Sequence, residues 1–230
     1  MTVLYEDNHL IAVNKASGEI VQGDKTGDTP LVELVKQYLK EKYQKPGNVF
    51  CGVTHRLDRP VSGVVVFAKT GKALERFNEM LRNHEVKKSY WAIVKDAPPA
   101  PEATLTHYLV RNEKQNRSYA YDTERANAKK AVLSYRQLTE TESHYRLLEV
   151  DLQTGRHHQI RCQLAKIGCP IKGDLKYGFA RSNKNGGISL HAREISFIHP
   201  VSKQEIRIVA PVPQDDALWR AVESAVASQD

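Results

Sequence analysis

Several features that assign proteins to common classes are missing from this 230-residue chain. Its apolar runs fall far short of the roughly 20 residues that a membrane span needs. The first residues include neither a basic segment nor a long apolar one, so no secretory signal is expected. The three cysteines, Cys51, Cys162 and Cys169, are widely spaced, which disfavours a disulfide framework. These absences predict a soluble, cytoplasmic protein with no membrane partner.

The motifs of several cofactor and enzyme classes are missing as well. The sequence has no Gly-x-Gly-x-x-Gly loop and no Walker-type lysine loop for nucleotide phosphates. It also lacks the Gly-x-Ser-x-Gly turn of serine hydrolases. The cysteines and histidines show no paired Cys-x-x-Cys or His-x-x-x-His spacing, so no metal site is predicted.

The composition is that of a basic globular protein. Hydrophobic residues make up 40% of the chain and charged residues 27%. Lysine and arginine number 34 against 27 aspartates and glutamates, which gives a net charge of +7. This excess is compatible with a polyanionic partner such as RNA, although many soluble proteins carry as much. The length fits one large domain or two small ones.

The apolar pattern predicts a mixture of strands and helices. Thr29 and Pro30 are typical of a helix start, with a capping hydroxyl followed by a proline. The polar segment 112–127 is predicted to be a mobile loop that senses RNA. Strands are predicted at 3–5, 10–14, 64–70, 87–94, 104–110, 129–138, 144–152, 190–200 and 205–209, and helices from 30 to the Pro46-Gly47 pair, at 72–83, within 153–167 and at 214–227.

A carboxylate between two arginines directly precedes the most apolar strand. Asp58 lies between Arg56 and Arg59, and Pro60 and Gly63 predict an irregular loop before the strand. Reactive groups are often placed on loops held by a rigid strand. The residues alone also fit a surface ion pair of Asp58 with either arginine.

Two further segments carry side chains suited to a site. The strand 87–94 would place Tyr90 on one face and Trp91 with Ile93 on the other. In the predicted helix near residue 160, Arg161 flanks the apolar stripe, so it would be partly buried. A partly buried arginine needs an anion as partner.

Four segments together resemble the RluA-type pseudouridine synthase family. They occur in the family's order, and the resemblance extends over about residues 3–212. Two positions depart from the family pattern, since Val61 replaces a threonine and Ala16 replaces a proline. The segments are His55-Arg56-Leu57-Asp58 with Ser62-Gly63, the Lys-x-Tyr-x-Ala-x-Val strand at 88–94, the Thr-Gly-Arg-x-His-Gln-Ile-Arg element at 154–161, and Leu190-His191-Ala192.

The resemblance implies a fold and a reaction. The fold would be α+β, with a curved mixed, mostly antiparallel sheet, flanking helices and a central basic RNA-binding cleft. A single catalytic domain would cover residues 1–230, without the S4 RNA-binding domain of larger members. The reaction would isomerise a uridine in structured RNA to pseudouridine. No cofactor is implied, because the uracil is rejoined to the same ribose through carbon without net redox change.

The resemblance also implies roles for individual residues. Asp58 would be the catalytic group, as a nucleophile or as an acid/base. Tyr90 would stack on the flipped base. Arg161 would pair with Asp58 and orient it, with Arg156 as the second candidate. The predicted substrate-binding residues are His55, Arg56, Arg59, Arg156, His158 and Lys15, of which Arg56 would fill the gap left by the flipped nucleotide and Lys15 could equally be a solvated lysine.

Two rival functions and two RNA targets remain open from the sequence. The protein could bind RNA without catalysis, or it could hydrolyse an N-glycosidic bond with Asp58 and release free uracil. The His-Arg-Leu-Asp-Arg-Pro sequence resembles the subgroup that acts on tRNA, with ribosomal RNA as the alternative. No obligate protein partner is predicted.

Overall fold

The computed structural model describes residues 1–228 as an arrangement of strands and helices, which confirms the α+β class. The strands are β1 Thr2–Glu6, β2 Leu10–Lys15, β3 Gly52–Val53, β4 Ser62–Ala68, β5 Lys87–Val94, β6 Glu102–Asn112, β7 Arg117–Tyr121, β8 Lys129–Glu140, β9 Arg146–Leu152, β10 Leu190–Ile198 and β11 Glu205–Val209. The helices are α1 Leu31–Lys42, α2 Gly71–Arg82, α3 Gln159–Lys166 and α4 Ala217–Ala227, with a 3₁₀ turn at Leu175–Tyr177.

The chain forms two compact units. Unit 1 consists of residues 1–88 and 192–211, and unit 2 consists of residues 89–191 and those from 212 onward. Strand β10 passes from one unit to the other along the chain.

The sheet of unit 1 is built on β4. This strand pairs antiparallel with β2, and all seven of its residues are buried. The continuous apolar run Val64–Ala68 is therefore explained by burial on both faces of the strand. Strand β1 pairs antiparallel with β2, β3 pairs with β4, and β11 pairs with β10.

Helix α1 begins one residue later than the sequence pattern predicts. Pro30 is the residue before the first helical turn, and it makes no side-chain cap. The capping role expected for Thr29 is wrong, because backbone carbonyls bind the first helical N–H groups instead. Leu31 N donates to Ile20 O at 2.7 Å, and Val32 N donates to Val21 O at 3.1 Å.

Helix α2 follows a standard capping pattern. The Thr70 hydroxyl accepts from Ala73 N at 3.1 Å. Of the predicted stripe, Phe77 is buried and Leu74 and Leu81 are half-buried, and Ala73 and Met80 are the other buried side chains of the helix. Phe77 is fully buried and contacts Phe197 edge-on, with ring centres 5.0 Å apart.

The sheet of unit 2 is an antiparallel array in the order β5, β9, β8, β6, β7. One hydrophobic cluster of unit 2 contains Trp91 and Ile93, which share a face of β5 as the alternation predicted. Helix α4 supplies Trp219 and Val222 to the same cluster.

The segment 112–127 contains the turn and the second strand of a β-hairpin, instead of the expected mobile loop. Strands β6 and β7 pair over five positions, from Tyr108–Tyr121 to Asn112–Arg117. The polar sequence hid this strand because its buried member, Ser118, is satisfied by tertiary hydrogen bonds. Ser118 N donates to the Tyr177 hydroxyl at 2.8 Å, and Ser118 Oγ donates to His157 O at 2.8 Å.

The three cysteines are free thiols inside the two units. Cys51 belongs to unit 1, and Cys162 and Cys169 belong to unit 2. Burial raises the pKa of Cys51 and Cys162 to about 12 and that of Cys169 to about 11. Within residues 1–228 no helix is both long and apolar enough to cross a membrane.

Candidate active site

Asp58 begins a tight turn that leads into β4. Val61 N donates to Asp58 O at 3.0 Å, which closes the turn around Arg59 and Pro60. The segment after β2 holds this turn from the other side. Ser17 Oγ donates to Pro60 O at 3.1 Å, and Gly18 N donates to Arg59 O at 2.8 Å. The backbone that carries Asp58 is therefore fixed within unit 1.

Lys15 completes this support from inside the unit. Its side chain is only 1% exposed, so the expectation of a lysine facing RNA or solvent is wrong. Its Nζ donates to Ala16 O at 3.0 Å, Arg59 O at 3.1 Å and Val61 O at 2.5 Å. Burial lowers the pKa of Lys15 to about 8, against the smaller opposing effects of Glu19 and Asp58.

Gly63 lets the start of β4 lie directly against β10. Its φ is +119°, and a Cβ atom at this position would lie 2.3 Å from Ala192 O and 2.5 Å from Ala192 N. Only glycine fits such an approach without displacing backbone.

The arginines beside Asp58 have different surroundings. Arg56 is exposed, whereas Arg59 is half-buried. Arg59 Nη2 lies 2.7 Å from both Asp28 Oδ2 and Thr26 Oγ1, so this arginine ties the turn to the 24–28 loop. In this structure Arg56 is thus the arginine that faces solvent beside Asp58, and Arg59 is held by the protein.

His55 is attached to the strand that follows. Its Nε2 accepts from Val66 N at 3.1 Å, which places the proton of the neutral ring on Nδ1. Burial, reinforced by the charge of Lys88, lowers the pKa of His55 well below its usual value. The Nδ1 atom is inaccessible and has no hydrogen-bond partner within residues 1–228.

In unit 2, Tyr90 and Arg161 are both buried. Tyr90 lies on β5 and is 7% exposed, and Arg161 lies in the first turn of α3 and is 5% exposed. Within unit 2, Arg161 pairs with Asp174, which is 1% exposed, and the pairing of Arg161 with Asp58 stays a prediction. Arg161 Nε donates to Asp174 Oδ2 at 2.7 Å, and Nη2 donates to Asp174 Oδ1 at 3.0 Å.

Asp174 is a residue to which the sequence assigned no role. It follows Arg161 by 13 positions and lies in a turn-rich segment, so helical spacing could not connect the two. The available signal was only a carboxylate next to a glycine in this turn-rich segment, as Gly173-Asp174 followed by Tyr177-Gly178.

Arg156 and His158 precede the same helix. Arg156 is exposed, and its Nε donates to Lys130 O at 3.0 Å. His158 is 8% exposed, and its Nδ1 lies 3.0 Å from the Tyr177 hydroxyl. Burial, followed by the charge of Arg161, lowers the pKa of His158 to about 2, so the imidazole is neutral.

Each unit therefore presents a chemically suited group. Unit 1 holds the Asp58 carboxylate on a fixed turn, and unit 2 holds the Arg161 guanidinium and the Tyr90 ring. A carboxylate can act as a nucleophile or exchange a proton, and a guanidinium binds carboxylate or phosphate. Among the described residues, no three or more His, Cys, Asp or Glu side chains form a group that could hold a metal ion.

Comparison with known proteins connects the chain to a family of enzymes. A family model described as RNA pseudouridylate synthase matches residues 9–166, more than half of the chain. A tRNA pseudouridine synthase C from Vibrio cholerae is 32% identical, with 100% of this chain and 97% of that protein covered. A ribosomal large subunit pseudouridine synthase D from Xylella fastidiosa is 34% identical, with 94% and 67% covered.

A solved structure supports the same fold. Human RNA Pseudouridylate Synthase Domain Containing 4 superposes with a TM-score of 0.77 over 93% of this chain and 89% of the human one, at 24% identity. Together, the matched family model and the full-length relative show that this chain belongs to the RNA pseudouridylate synthase family and is an RNA pseudouridine synthase, an isomerase.

Proposed function

We propose that this RNA pseudouridine synthase isomerises a specific uridine of a tRNA, with Asp58 as its catalytic carboxylate. The observation that carries the assignment of Asp58 is the turn at 58–61, which three neighbouring side-chain and backbone groups hold in place. The similarity over 97% of the Vibrio cholerae tRNA pseudouridine synthase C supports tRNA as the substrate. We place the reaction in the cytoplasm, with structured RNA as the partner and no cofactor.

The reaction conserves all atoms of the nucleotide. The bond between N1 of uracil and C1′ of ribose breaks, the base turns, and a bond forms between C5 and C1′. The proton on C5 leaves, and N1 ends with a proton. A carboxylate beside the ribose can attack the sugar or take up a proton, and Asp58 is proposed for this position.

Tyr90 and Arg161 are proposed as the supporting groups. Tyr90 stacks on the flipped base, since an aromatic ring fits the face of a base taken out of its helix. Arg161 orients the Asp58 carboxylate. Arg56, which is exposed, is proposed to fill the gap in the RNA helix. His55, Arg59, Arg156 and His158 remain proposed substrate contacts.

Substitution of Asp58 tests the catalytic assignment. Asp58→Asn keeps the shape of the side chain but removes its charge, so pseudouridine formation in tRNA should fall about 10⁴-fold or more. RNA binding should persist, because the carboxylate does not attract phosphate. Glu149→Gln is the matched control, since this carboxylate pairs with Arg136 on the surface at 3.0 Å and should leave activity unchanged.

Mapping of pseudouridine by mass spectrometry tests the substrate. Cells that lack the gene should lose one site in tRNA relative to wild-type cells. A site lost from ribosomal RNA instead would keep the reaction and refute the tRNA assignment.

Full activity of Asp58→Asn would refute the catalytic role, and free uracil in the purified reaction would indicate a hydrolase.

A further inference from the structure

A buried ion pair with two hydrogen bonds joins Arg161 to Asp174. Their side chains are 6% and 1% exposed, and the 2.7 Å and 3.0 Å contacts use both carboxylate oxygens. Burying two charges carries a desolvation penalty that the attraction between them roughly offsets, so such pairs are weak devices for stability. Their planar geometry, however, fixes the direction of the guanidinium.

The carboxylate of Asp174 has a rigid frame. Asp174 N donates to Ile171 O at 3.0 Å, and its carbonyl accepts from Tyr177 N at 3.1 Å and Phe179 N at 3.0 Å. Gly173 before it has a φ of +87°, and an added Cβ would lie 2.7 Å from the Asn183 side chain. Asp174 therefore cannot easily follow Arg161 if the arginine moves.

Tyr177 constrains the same guanidinium from one side. The centre of its ring lies 5.1 Å from Arg161 Cζ. Its hydroxyl is 2.8 Å from Ser118 N and 3.0 Å from His158 Nδ1, so the ring itself is anchored within unit 2. Asp174 and Tyr177 together limit both the direction and the position of the guanidinium.

The ion pair occupies only one edge of the guanidinium. Asp174 binds the Nε hydrogen and one Nη2 hydrogen, and of the other three donor hydrogens, one on Nη1 and one on Nη2 point along the Nη1–Nη2 end. That end has the fork geometry that binds a second carboxylate or a phosphate.

We propose that Asp174 is a positioning residue, which holds the Nε–Nη2 edge of Arg161 and thereby fixes the direction of its Nη1–Nη2 end. The role rests on the proposed function, in which Arg161 orients the catalytic carboxylate. Asp174 itself touches neither substrate nor reacting atoms. Its substitution acts through the direction of Arg161, and a misplacement of about 1 Å in a positioned group can lower a rate about 100-fold.

Steady-state kinetics of Asp174→Asn with a tRNA substrate provide the main test. The amide keeps the size of the side chain but loses the charge and one of its two acceptors, so the guanidinium is released from its fixed direction. We expect kcat to fall about 10- to 100-fold, with KM for tRNA changed less than about twofold. Asp174→Glu keeps the charge and should recover part of the lost kcat.

A spectroscopic measurement reports the position of Arg161 without reference to activity. In protein labelled with ¹⁵N in its arginine side chains, the Nε–H signal of Arg161 should be protected from hydrogen exchange. Arg161→Lys identifies the signal by its loss. The protection should be lost in Asp174→Asn and largely retained in Asp174→Glu.

A control separates positioning from general destabilisation. Glu6 of unit 1 forms another buried ion pair, with Lys69 Nζ at 2.9 Å, so Glu6→Gln should lower the melting temperature and leave kcat of the folded enzyme unchanged. Asp174→Asn with kcat within twofold of an active wild type would overturn the positioning role and leave the proposed function intact. A wild type that forms no pseudouridine in any RNA would instead refute the proposed function, and the role would fail with it.

Discussion

The ammonium group of Lys15 is bound by three carbonyl oxygens at the end of β2. Two of these carbonyls belong to Arg59 and Val61, within the turn that Asp58 begins. The sequence pattern offered no sign of this burial, because the neighbouring residues Ser17 and Gly18 are typical of a solvated loop. The charged side chain of Lys15 therefore donates hydrogen bonds to backbone carbonyls that have no partner in a neighbouring strand.

The burial of Lys15 predicts a specific dependence of stability on pH. Burial lowers its pKa to about 8 in the folded chain, from the usual 10.5 of an unfolded one. Between these values the unfolded state binds the proton and the folded state does not, so the free energy of unfolding rises with pH. Relative to Lys15→Met, the wild type should gain up to about 3 kcal/mol from pH 8 to 10.5.

Urea unfolding of both proteins at pH of about 8, 9 and 10.5 measures this difference. The comparison with Lys15→Met cancels the other groups that titrate in this range. Lys40→Met, at an exposed position of α1, is the control that removes a lysine without removing a buried charge. Parallel pH curves for the wild type and Lys15→Met would contradict the buried position of the ammonium.

Asp58, Tyr90 and Arg161 were selected from the sequence through the family motifs, whereas Asp174 was not. A motif identifies residues of the same segment, and Arg161 and Asp174 meet only when α3 packs beside the 3₁₀ turn. What the sequence does predict is the need for a partner, since an arginine flanking an apolar stripe requires an anion. The identity of that anion depends on the tertiary structure.

At the scale of elements, the apolar pattern predicted the buried strands and the helices α2 and α3. Strand β4 and helix α2 were located to within about two residues. Strand β7 was missed because its burial depends on hydrogen bonds of Ser118 to distant residues, which hydropathy does not record. The start of α1 was misassigned for a similar reason, since backbone carbonyls from 20–21 replace the side-chain cap.

Gly63 gives an element-level prediction about the contact of β4 with β10. An alanine there would require the positive φ of +119° and would place its Cβ 2.3 Å from Ala192 O. We expect Gly63→Ala to lower the free energy of unfolding by about 3 kcal/mol or more, because backbone must shift to relieve the overlap.

Gly71→Ala is the matched control for this substitution. Gly71 is the first residue of α2, and an added Cβ there meets nothing within 4 Å. It should be neutral or raise stability by about 0.5–1 kcal/mol. Equal stability of Gly63→Ala and the wild type in urea unfolding would show that β4 and β10 do not approach as closely as described.

At the scale of the whole molecule, composition restricted the function only to a basic globular protein. The net charge of +7 is compatible with RNA but does not identify an enzyme. The reaction class followed from four motifs in family order, and the matched family model over residues 9–166 confirms it. The division into two compact units was not visible in the sequence, because no linker composition marks a boundary within β5 or β10.

Chemical modification of the three buried thiols can be used to measure local unfolding of the chain. Because their pKa values are raised to between about 11 and 12, almost no thiolate exists near neutral pH, and reagent cannot reach the sulfur without local unfolding. Iodoacetamide should therefore modify the native protein far more slowly than the urea-unfolded chain.

Peptide mass analysis resolves Cys51, which reports opening of unit 1, from Cys162 and Cys169, which report opening of unit 2. Gly63→Ala should accelerate modification of Cys51, and equal alkylation rates in native and unfolded protein would contradict the burial of the thiols.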